Sequence, residues 1–248
     1  MRALLLALLA APAAAGIVPA RTVGAASTQF LSEGPGAAAA GLGGTVLSAV
    51  HDPTALYWNP AGLADAGGMV SGEHLFLYGG ARYDFLALSV PSRFGTFGVG
   101  ALQLERGNIV ARSAIDDPGY TVSNTQSDYM AGVGAPVGRH WKVGVTGNVL
   151  DFEMAGYADK GWGLDAGAQG DYAQDELLGL ERLVWSFGGT VKNLVEPKLT
   201  MMEDTEAYPR ELRGGVSVAF QSASRASADG TLSHDRVRLL ASVRRVAG

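Results

Sequence analysis

Long stretches of alternating apolar and polar residues constrain this fold more than any other feature of the sequence. In WGLDAGAQGDY, which starts at Trp162, the apolar Trp162 and Leu164 alternate with Gly163 and Asp165. The segment LVWSFGGTVKN, which starts at Leu183, repeats the pattern. Because successive side chains of a strand point to opposite faces, the pattern predicts strands with one apolar and one polar face.

The alternation predicts an all-β chain of nine strands. We place them at approximately 69–78, 82–91, 94–105, 127–136, 141–152, 162–173, 183–193, 211–220 and 236–245. Most have roughly the 9–11 residues that a tilted strand needs to cross a bilayer. Aromatic residues gather near the predicted strand ends, as in the girdles of outer-membrane barrels: Tyr78, Tyr83, Tyr129, Trp141, Phe152, Trp162, Tyr172, Trp185 and Phe220.

Two architectures fit these strands. In a soluble sandwich or lipocalin-like barrel the apolar faces point inward. In an antiparallel transmembrane β-barrel they point to lipid, and the polar faces surround a lumen. Charged residues make up 17% of the 248 residues, well below the roughly 25% of an ordinary soluble domain. The low charge favours the membrane barrel.

Several chemistries have no support in the sequence. The chain has no cysteine, and its net charge of −5 argues against a nucleic-acid partner. The four histidines lack metal-ligand spacing, and no G-x-S-x-G motif supplies a nucleophile. Two acidic groups, Asp116-Asp117 and Glu203-Asp204-Glu206, fit solvated turns better than calcium sites. We therefore predict a non-enzymatic protein without a metal or other cofactor.

The N-terminus has the pattern of a secretory signal. Arg2 precedes the apolar run Ala3 to Ala11, and small residues allow cleavage after Ala15 or Ala20. We therefore predict a signal peptide at residues 1–20, a periplasmic or lumenal segment at 21–68, and a β-barrel at 69–248.

A rigid, aromatic segment, SAVHDPTALYWNPAGLA, precedes the first predicted strand. Pro53 and Pro60 bias the preceding residues away from helix, and Asp52 and Asn59 can form turns through their own side chains. An Ala/Gly run upstream predicts a short helix over residues 37–50, which its glycines weaken. We expect the segment to fill the periplasmic end of the barrel through Asp52, Pro53, Leu56, Tyr57, Trp58, Asn59 and Pro60.

The stretch GAAAAGLGGTVLSAVHDPTALYWNPAGLA resembles the N-terminal signature of the PorV/PorQ family of FadL-like outer-membrane proteins. The segments GTFGVGALQLERGNI and GTVKNLVEPKL resemble later strands of that family. The resemblance implies a barrel of about fourteen strands with an N-terminal segment inside the lumen. Since about 8–10 strands are predicted here and the sequence ends at Val246-Ala247-Gly248, we expect a C-terminally shortened member.

The resemblance implies a function in the outer membrane. Some members serve type IX protein secretion, and FadL relatives pass hydrophobic small molecules. The expected partners are therefore outer-membrane lipid together with secretion-system or cargo proteins, or hydrophobic small molecules. The alternative is a soluble exported binding protein in the periplasm. Within a barrel, the polar residues expected to face the lumen are Lys142, Asn148, Asp165, Gln169, Asp171, Lys192, Glu211 and Arg213.

Overall fold

The structure is a computed structural model that describes residues 34–112, 116–177, 180–201, 204–222, 225–226, 232–233 and 236–246. Most of the described residues lie in antiparallel strands and few lie in helices. The prediction of an all-β chain is therefore confirmed. The predicted signal peptide, residues 1–20, lies outside the described residues.

The strands follow one another in a simple meander. Their bounds are β1 (Met69–Phe76), β2 (Arg82–Ser92), β3 (Gly95–Ala111), β4 (Tyr120–Val137), β5 (Trp141–Met154), β6 (Tyr157–Leu177), β7 (Leu180–Val195), β8 (Lys198–Met201), β9 (Asp204–Ala207), β10 (Glu211–Ser222), β11 (Arg225–Ala226), β12 (Leu232–Ser233) and β13 (Arg236–Val246). Nine of them form one antiparallel sheet in the order β1-β2-β3-β4-β5-β6-β7-β10-β13. The pairs β8–β9 and β11–β12 form separate small hairpins.

The nine predicted strands correspond one to one to the strands of this sheet, but several are longer than predicted. Strand β6 has 21 residues and β4 has 18. Residues 174–177 and 180–182, which lie between the predicted strands 162–173 and 183–193, instead extend β6 and β7, and Leu177 pairs with Leu180. Backbone pairing continues there after the apolar alternation has ended, so the sequence pattern does not reveal these extensions.

The sheet is open between β1 and β13, which are its two edges. In the described part of the chain, neither edge pairs with a further strand. The structure thus establishes a nine-stranded antiparallel sheet and not a closed barrel. None of the helices in the described ranges is long and apolar enough to cross a membrane.

One face of the sheet packs on residues 34–66, which we call the inner segment. We call this the inner face of the sheet and the opposite side the outer face. In β6, Asp165 and Gln169 lie on the inner face and are 2% and 3% exposed, whereas Trp162 on the outer face is 66% exposed. The polar side of the alternation is thus buried, and the apolar side points away from the protein.

The inner face is largely apolar in β2 and β3, where it packs on the inner segment. Tyr83, Phe85 and Leu102 belong to the same buried cluster as Leu56 and Tyr57. The placement of Tyr83 and Phe152 in an outward-facing aromatic girdle was therefore wrong. Both are on the inner side of their strands, with exposures of 4% and 3%, because their positions in the alternation match those of the buried residues.

Glycines on the inner face allow the inner segment to pack directly against the backbone of the sheet. A Cβ atom at Gly134 would lie 2.7 Å from the Pro60 carbonyl oxygen, and one at Gly98 would lie 3.0 Å from Leu63 Cδ2. At Gly144 a Cβ would overlap the Pro60 carbonyl group. Further inner-face glycines in similar contact with the segment are Gly100, Gly132, Gly167, Gly188 and Gly215. These glycines come from six of the nine strands, so most of the sheet packs closely against this one segment.

The glycine contacts predict that Gly144→Val destabilises the fold, by about 1–3 kcal/mol or more, because overpacking displaces the segment. Gly147 on the outer side of the same strand is the matched control. A Cβ there has only one neighbour within 4 Å, the Ala131 carbonyl oxygen at 3.9 Å. Thermal unfolding, followed by circular dichroism, measures the stability of Gly144→Val and of the control variant Gly147→Val. Equal stability of Gly144→Val and Gly147→Val would contradict the packing described here.

Candidate functional site

The inner segment is built from short helical turns separated by breaks. Helix α1 spans Ala37–Gly41, α2 spans Ala55–Trp58, and a 3₁₀ turn spans Pro60–Asp65. The helix predicted over residues 37–50 is therefore much shorter. Gly43 and Gly44 adopt φ angles of 60° and 74°, which lie outside the α-helical region and end the helix early.

Asp52 and Asn59 make the turns predicted for them. The Asp52 carboxylate accepts hydrogen bonds from the Thr54 backbone N–H at 2.8 Å and the Thr54 hydroxyl at 2.5 Å. Asn59 Oδ1 accepts from the Ala61 backbone N–H at 3.2 Å, which caps the 3₁₀ turn begun by Pro60. These local bonds fix the positions of the two proline breaks, so that residues 55–63 are all buried.

Buried amides hold the inner segment against the sheet. Asn59 Nδ2 donates to the carbonyl oxygens of Leu47 at 2.8 Å and Ala168 at 3.1 Å. From the sheet, Gln169 Nε2 donates to Leu47 at 2.9 Å and to Val50 at 3.2 Å. The Thr190 hydroxyl donates to the Trp58 carbonyl at 3.2 Å. Irregular backbone carbonyls that would otherwise be unpaired inside the protein are thereby satisfied.

The aromatic pair lies at the centre of the inner segment. The rings of Tyr57 and Trp58 meet edge to face with centroids 5.0 Å apart. Lys192 Nζ lies 3.6 Å from the centre of the Tyr57 ring, and the Arg213 guanidinium lies 5.9 Å from it. A desolvated cation over an aromatic ring gains about 2 kcal/mol, so these contacts join the segment to β7 and β10.

The polar residues predicted to face a lumen all lie on the inner face. Six are less than 10% exposed: Asn148, Asp165, Gln169, Lys192, Glu211 and Arg213. Glu211 accepts from Arg213 at 2.6 Å and also pairs with Arg244. Nearer the edge of the inner segment, Lys142 contacts Asp171 at 2.7 Å and also Asp65. The alternation thus places these side chains together, although it does not reveal their partners.

Other inner-face residues were missed by the sequence analysis. Asp128 and Thr146 are each 1% exposed, and Gln126 is 4% exposed. Extending the alternation of β4 from Tyr129, an outer-face residue, would have placed Asp128 on the inner face. The β8–β9 hairpin was also missed. Its Leu199 packs in a buried cluster with Leu150, Phe152 and Tyr208.

A cavity of about 510 Å³ lies between the two edges of the sheet. Helix α1 and the rest of the inner segment form one wall, and β1 and β13 contribute Val70, Glu73 and Leu240. Glu73 accepts a hydrogen bond from the Gly36 backbone N–H at 2.7 Å, which fastens the inner segment to β1. The volume lies within the roughly 300–1,000 Å³ range of small-molecule sites.

The outer face carries large apolar side chains on every strand of the main sheet. Their exposed fractions include 66% at Val70, 63% at Leu86, 55% at Val99 and 69% at Val243. Other members of this band are Phe97, Tyr129, Trp141, Val143, Val145, Val149, Trp162, Tyr172, Phe187, Leu212, Val237 and Leu239. Nine strands at about 4.8 Å spacing make the band about 40 Å wide.

Among the described residues, the ion pairs of the outer face lie at one rim of this band. Arg82 pairs with Glu105 at 2.8 Å, and Lys160 pairs with Asp151 at 2.7 Å. Both pairs are near the end of the sheet that carries the turn after Met154. At the other end, Arg93 and Arg139 are exposed in or beside turns.

Comparison with known proteins yields no relative. No protein-family description matches the chain, no curated protein matches it, and no solved structure matches it. Among the described residues, no three His, Cys, Asp or Glu side chains form a group that could hold a metal ion. The site is therefore characterised by its own geometry, namely a filled polar inner face and an apolar outer face.

Lys192 provides a test of the buried electrostatics. We predict that Lys192→Met destabilises the protein by about 3–5 kcal/mol, because it leaves the buried Asp165 carboxylate without its cation. Lys192 Nζ is 3.8 Å from Asp165 Oδ2, and both side chains are less than 10% exposed. Lys160→Met is the control, since that lysine is 67% exposed and surface pairs contribute little. Urea unfolding measures the free energy of unfolding of both variants. An equal decrease in the two would contradict the prediction.

Proposed function

We propose that this chain is a non-enzymatic outer-membrane protein of PorV/PorQ type, with a β-barrel wall and the inner segment as its plug. The observation that carries the proposal is the apolar band on the outer face. Soluble monomers rarely expose contiguous apolar patches of more than about 300–600 Å². A band about 40 Å wide requires a nonaqueous neighbour, and lipid acyl chains match its uniform apolar character.

The distribution of charge supports the same environment. The ion pairs lie at a rim of the outer face, where they would meet lipid headgroups, and Trp141 and Tyr172 lie near the opposite rim. Trp and Tyr are enriched at membrane interfaces. The buried polar inner face with its anchored segment corresponds to a filled lumen. In lipid, unpaired edge amides cost several kcal/mol each, so the proposal includes closure of the barrel at the seam between β1 and β13.

The cavity at this seam favours transport of hydrophobic small molecules. Its walls are mostly apolar, with Leu42, Val46, Val70, Phe85 and Leu240 among the lining residues. The second candidate, a role associated with type IX secretion, is favoured by the edge strands β1 and β13, which pair with no further strand in the described part of the chain. In that role strands of a partner protein, and not direct pairing of β1 with β13, would close the sheet at the seam. Uptake of a labelled fatty acid by cells with and without the gene, compared with export of a tagged secreted cargo, separates the two roles.

A substitution at Val145 on the outer face tests whether this face contacts lipid or water. Val145 is 45% exposed, and we predict that Val145→Arg costs about 2–4 kcal/mol in a bilayer, whereas a surface change in water has an effect within about 0.5 kcal/mol. Stability is measured in lipid vesicles, and cell fractionation with unboiled gel mobility reports insertion.

The control for this experiment is Phe94→Arg, at the turn between β2 and β3, where Phe94 is 68% exposed beside Arg93. A charge near the interface costs only about 0–1 kcal/mol. The proposal predicts loss of insertion for Val145→Arg and normal insertion for Phe94→Arg. Recovery of the wild-type chain with the soluble periplasmic contents, with both variants equally stable there, would instead establish the soluble binding protein.

A further inference from the structure

Two separate pieces of the chain cover the inner face of β6. Toward one end of the strand, Gly167 and Gln169 contact the inner segment. Toward the other end, a Cβ atom at Gly161 would lie 3.2 Å from Pro197 Cβ, and one at Gly163 would lie 2.8 Å from Pro197 Cγ. Pro197 immediately precedes the β8–β9 hairpin. The hairpin therefore covers a part of the inner face that lies beyond the inner segment.

A bulge in β7 redirects the chain just before the hairpin. In the register of β6 and β7, the single residue Asp165 lies opposite residues 192–194, which form the bulge. Asn193 has a φ angle of 54°, in the left-handed region that asparagine enters more readily than most residues. Its backbone N–H donates to Asp165 Oδ1 at 2.7 Å. Because bulges bend a strand, the Asp165 carboxylate holds the chain in the direction that leads into the hairpin.

The two legs of the hairpin are fastened to each other at this bulge. Asn193 Nδ2 donates to the Pro209 carbonyl oxygen at 2.9 Å. The Tyr208 backbone N–H donates to the Pro197 carbonyl oxygen at 2.9 Å, and β8 pairs with β9 along its full length. Because these bonds lie within the hairpin and its base, they persist when the hairpin moves relative to the sheet. The hairpin can therefore move as one unit.

The hairpin is held on the sheet by fewer contacts than the inner segment. In the described part of the chain, β8 and β9 pair with each other and with no strand of the nine-stranded sheet. Leu199 and Tyr208 pack in a buried cluster with two residues of β5, and the Thr200 backbone N–H donates to the exposed Asp159 carboxylate. The inner segment instead contacts glycines of six strands and is held by buried amide bonds. Since local opening is easiest where buried contacts are few, the hairpin opens more readily than the inner segment.

We infer that the β8–β9 hairpin is a lid over polar residues of the inner face, and that it opens about the bulge at Asn193 while the inner segment stays in place. Asn148 and Asp165, which are 7% and 2% exposed, lie at the border between the two covers. Asn148 Oδ1 lies beside Gly163, which also contacts Pro197. A closed lid keeps water from these side chains, and an open lid admits polar solutes to them. The inference goes beyond the proposed function and holds whether or not the chain lies in a membrane.

The test measures how fast a thiol beneath each cover reacts with fluorescein maleimide in the full chain folded in detergent. The chain has no cysteine, so Asn148→Cys places a single thiol beside the lid. In a second chain, Ser48→Cys places the thiol under the inner segment, where Ser48 is 6% exposed. A buried thiol reacts only while its cover is open. The thiol at position 148 should therefore react faster than the thiol at position 48.

Leu199→Ala removes a leucine that is 1% exposed between the lid and the sheet. It should raise the labelling rate at position 148 by roughly 30-fold or more, as expected for truncation of a buried leucine, and leave the rate at position 48 unchanged. Tyr208→Ala truncates the other hairpin residue of the cluster and should act in the same direction if Leu199→Ala does not fold. Leu102→Ala is the matched control, because Leu102 is 0% exposed on β3, and it should not raise the rate at position 148.

Three results would overturn the inference. Equal labelling rates at positions 148 and 48 in the parent chains would mean that the hairpin opens only when the whole chain unfolds. An unchanged rate at position 148 in Leu199→Ala and Tyr208→Ala would mean that their contacts do not hold a lid closed. An increase of the same size at position 48, or in Leu102→Ala, would show general destabilisation. The measurement needs only folded protein, so its outcome is separate from that of the insertion experiment.

Discussion

Contact between a glycine-lined sheet and the backbone of the inner segment is the constraint on which the structure depends. At Gly134, Gly144 and Gly188 the segment approaches so closely that no side chain would fit. The inner segment therefore leaves no room on the inner face for the large side chains of the alternation. Trp162, Phe187 and their counterparts lie on the outer face, where the described residues provide no protein covering. The apolar exterior and the filled interior are consequences of the same packing.

The interior is stabilised by polar contacts that only an irregular segment can use. Asn59 and Gln169 donate to backbone carbonyls that no strand pairs, and Lys192 lies between Asp165 and the Tyr57 ring. Such contacts are strong only where water is excluded, and the β8–β9 hairpin contributes to this exclusion.

Much of the sheet could be predicted, because alternation of apolar and polar residues indicates both where a strand lies and which side chains share a face. Trp162 and Asp165 alone indicate opposite sides of β6. The pattern could not reveal the extensions of β4 and β6, where the regular apolar alternation stops. It also could not reveal the inward direction of Tyr83, since both faces of β2 carry apolar residues and an aromatic residue suits either a core or a girdle. The turns at Asp52 and Asn59 were predictable from local side-chain chemistry. Their long-range partners, Ala168 for Asn59 and Glu73 for Gly36, depend on tertiary packing that no local pattern encodes.

The central claim is that the apolar outer face contacts acyl chains. The most direct test is fluorescence quenching of Trp162 in a chain whose other three tryptophans are replaced by phenylalanine, reconstituted in vesicles that contain lipids brominated along the acyl chain. The account predicts strong quenching by the brominated lipids and little quenching by aqueous iodide. A matching chain that keeps only Trp58, which is 7% exposed on the inner segment, should be quenched by neither. Quenching of Trp162 by iodide and not by brominated lipid would contradict the account.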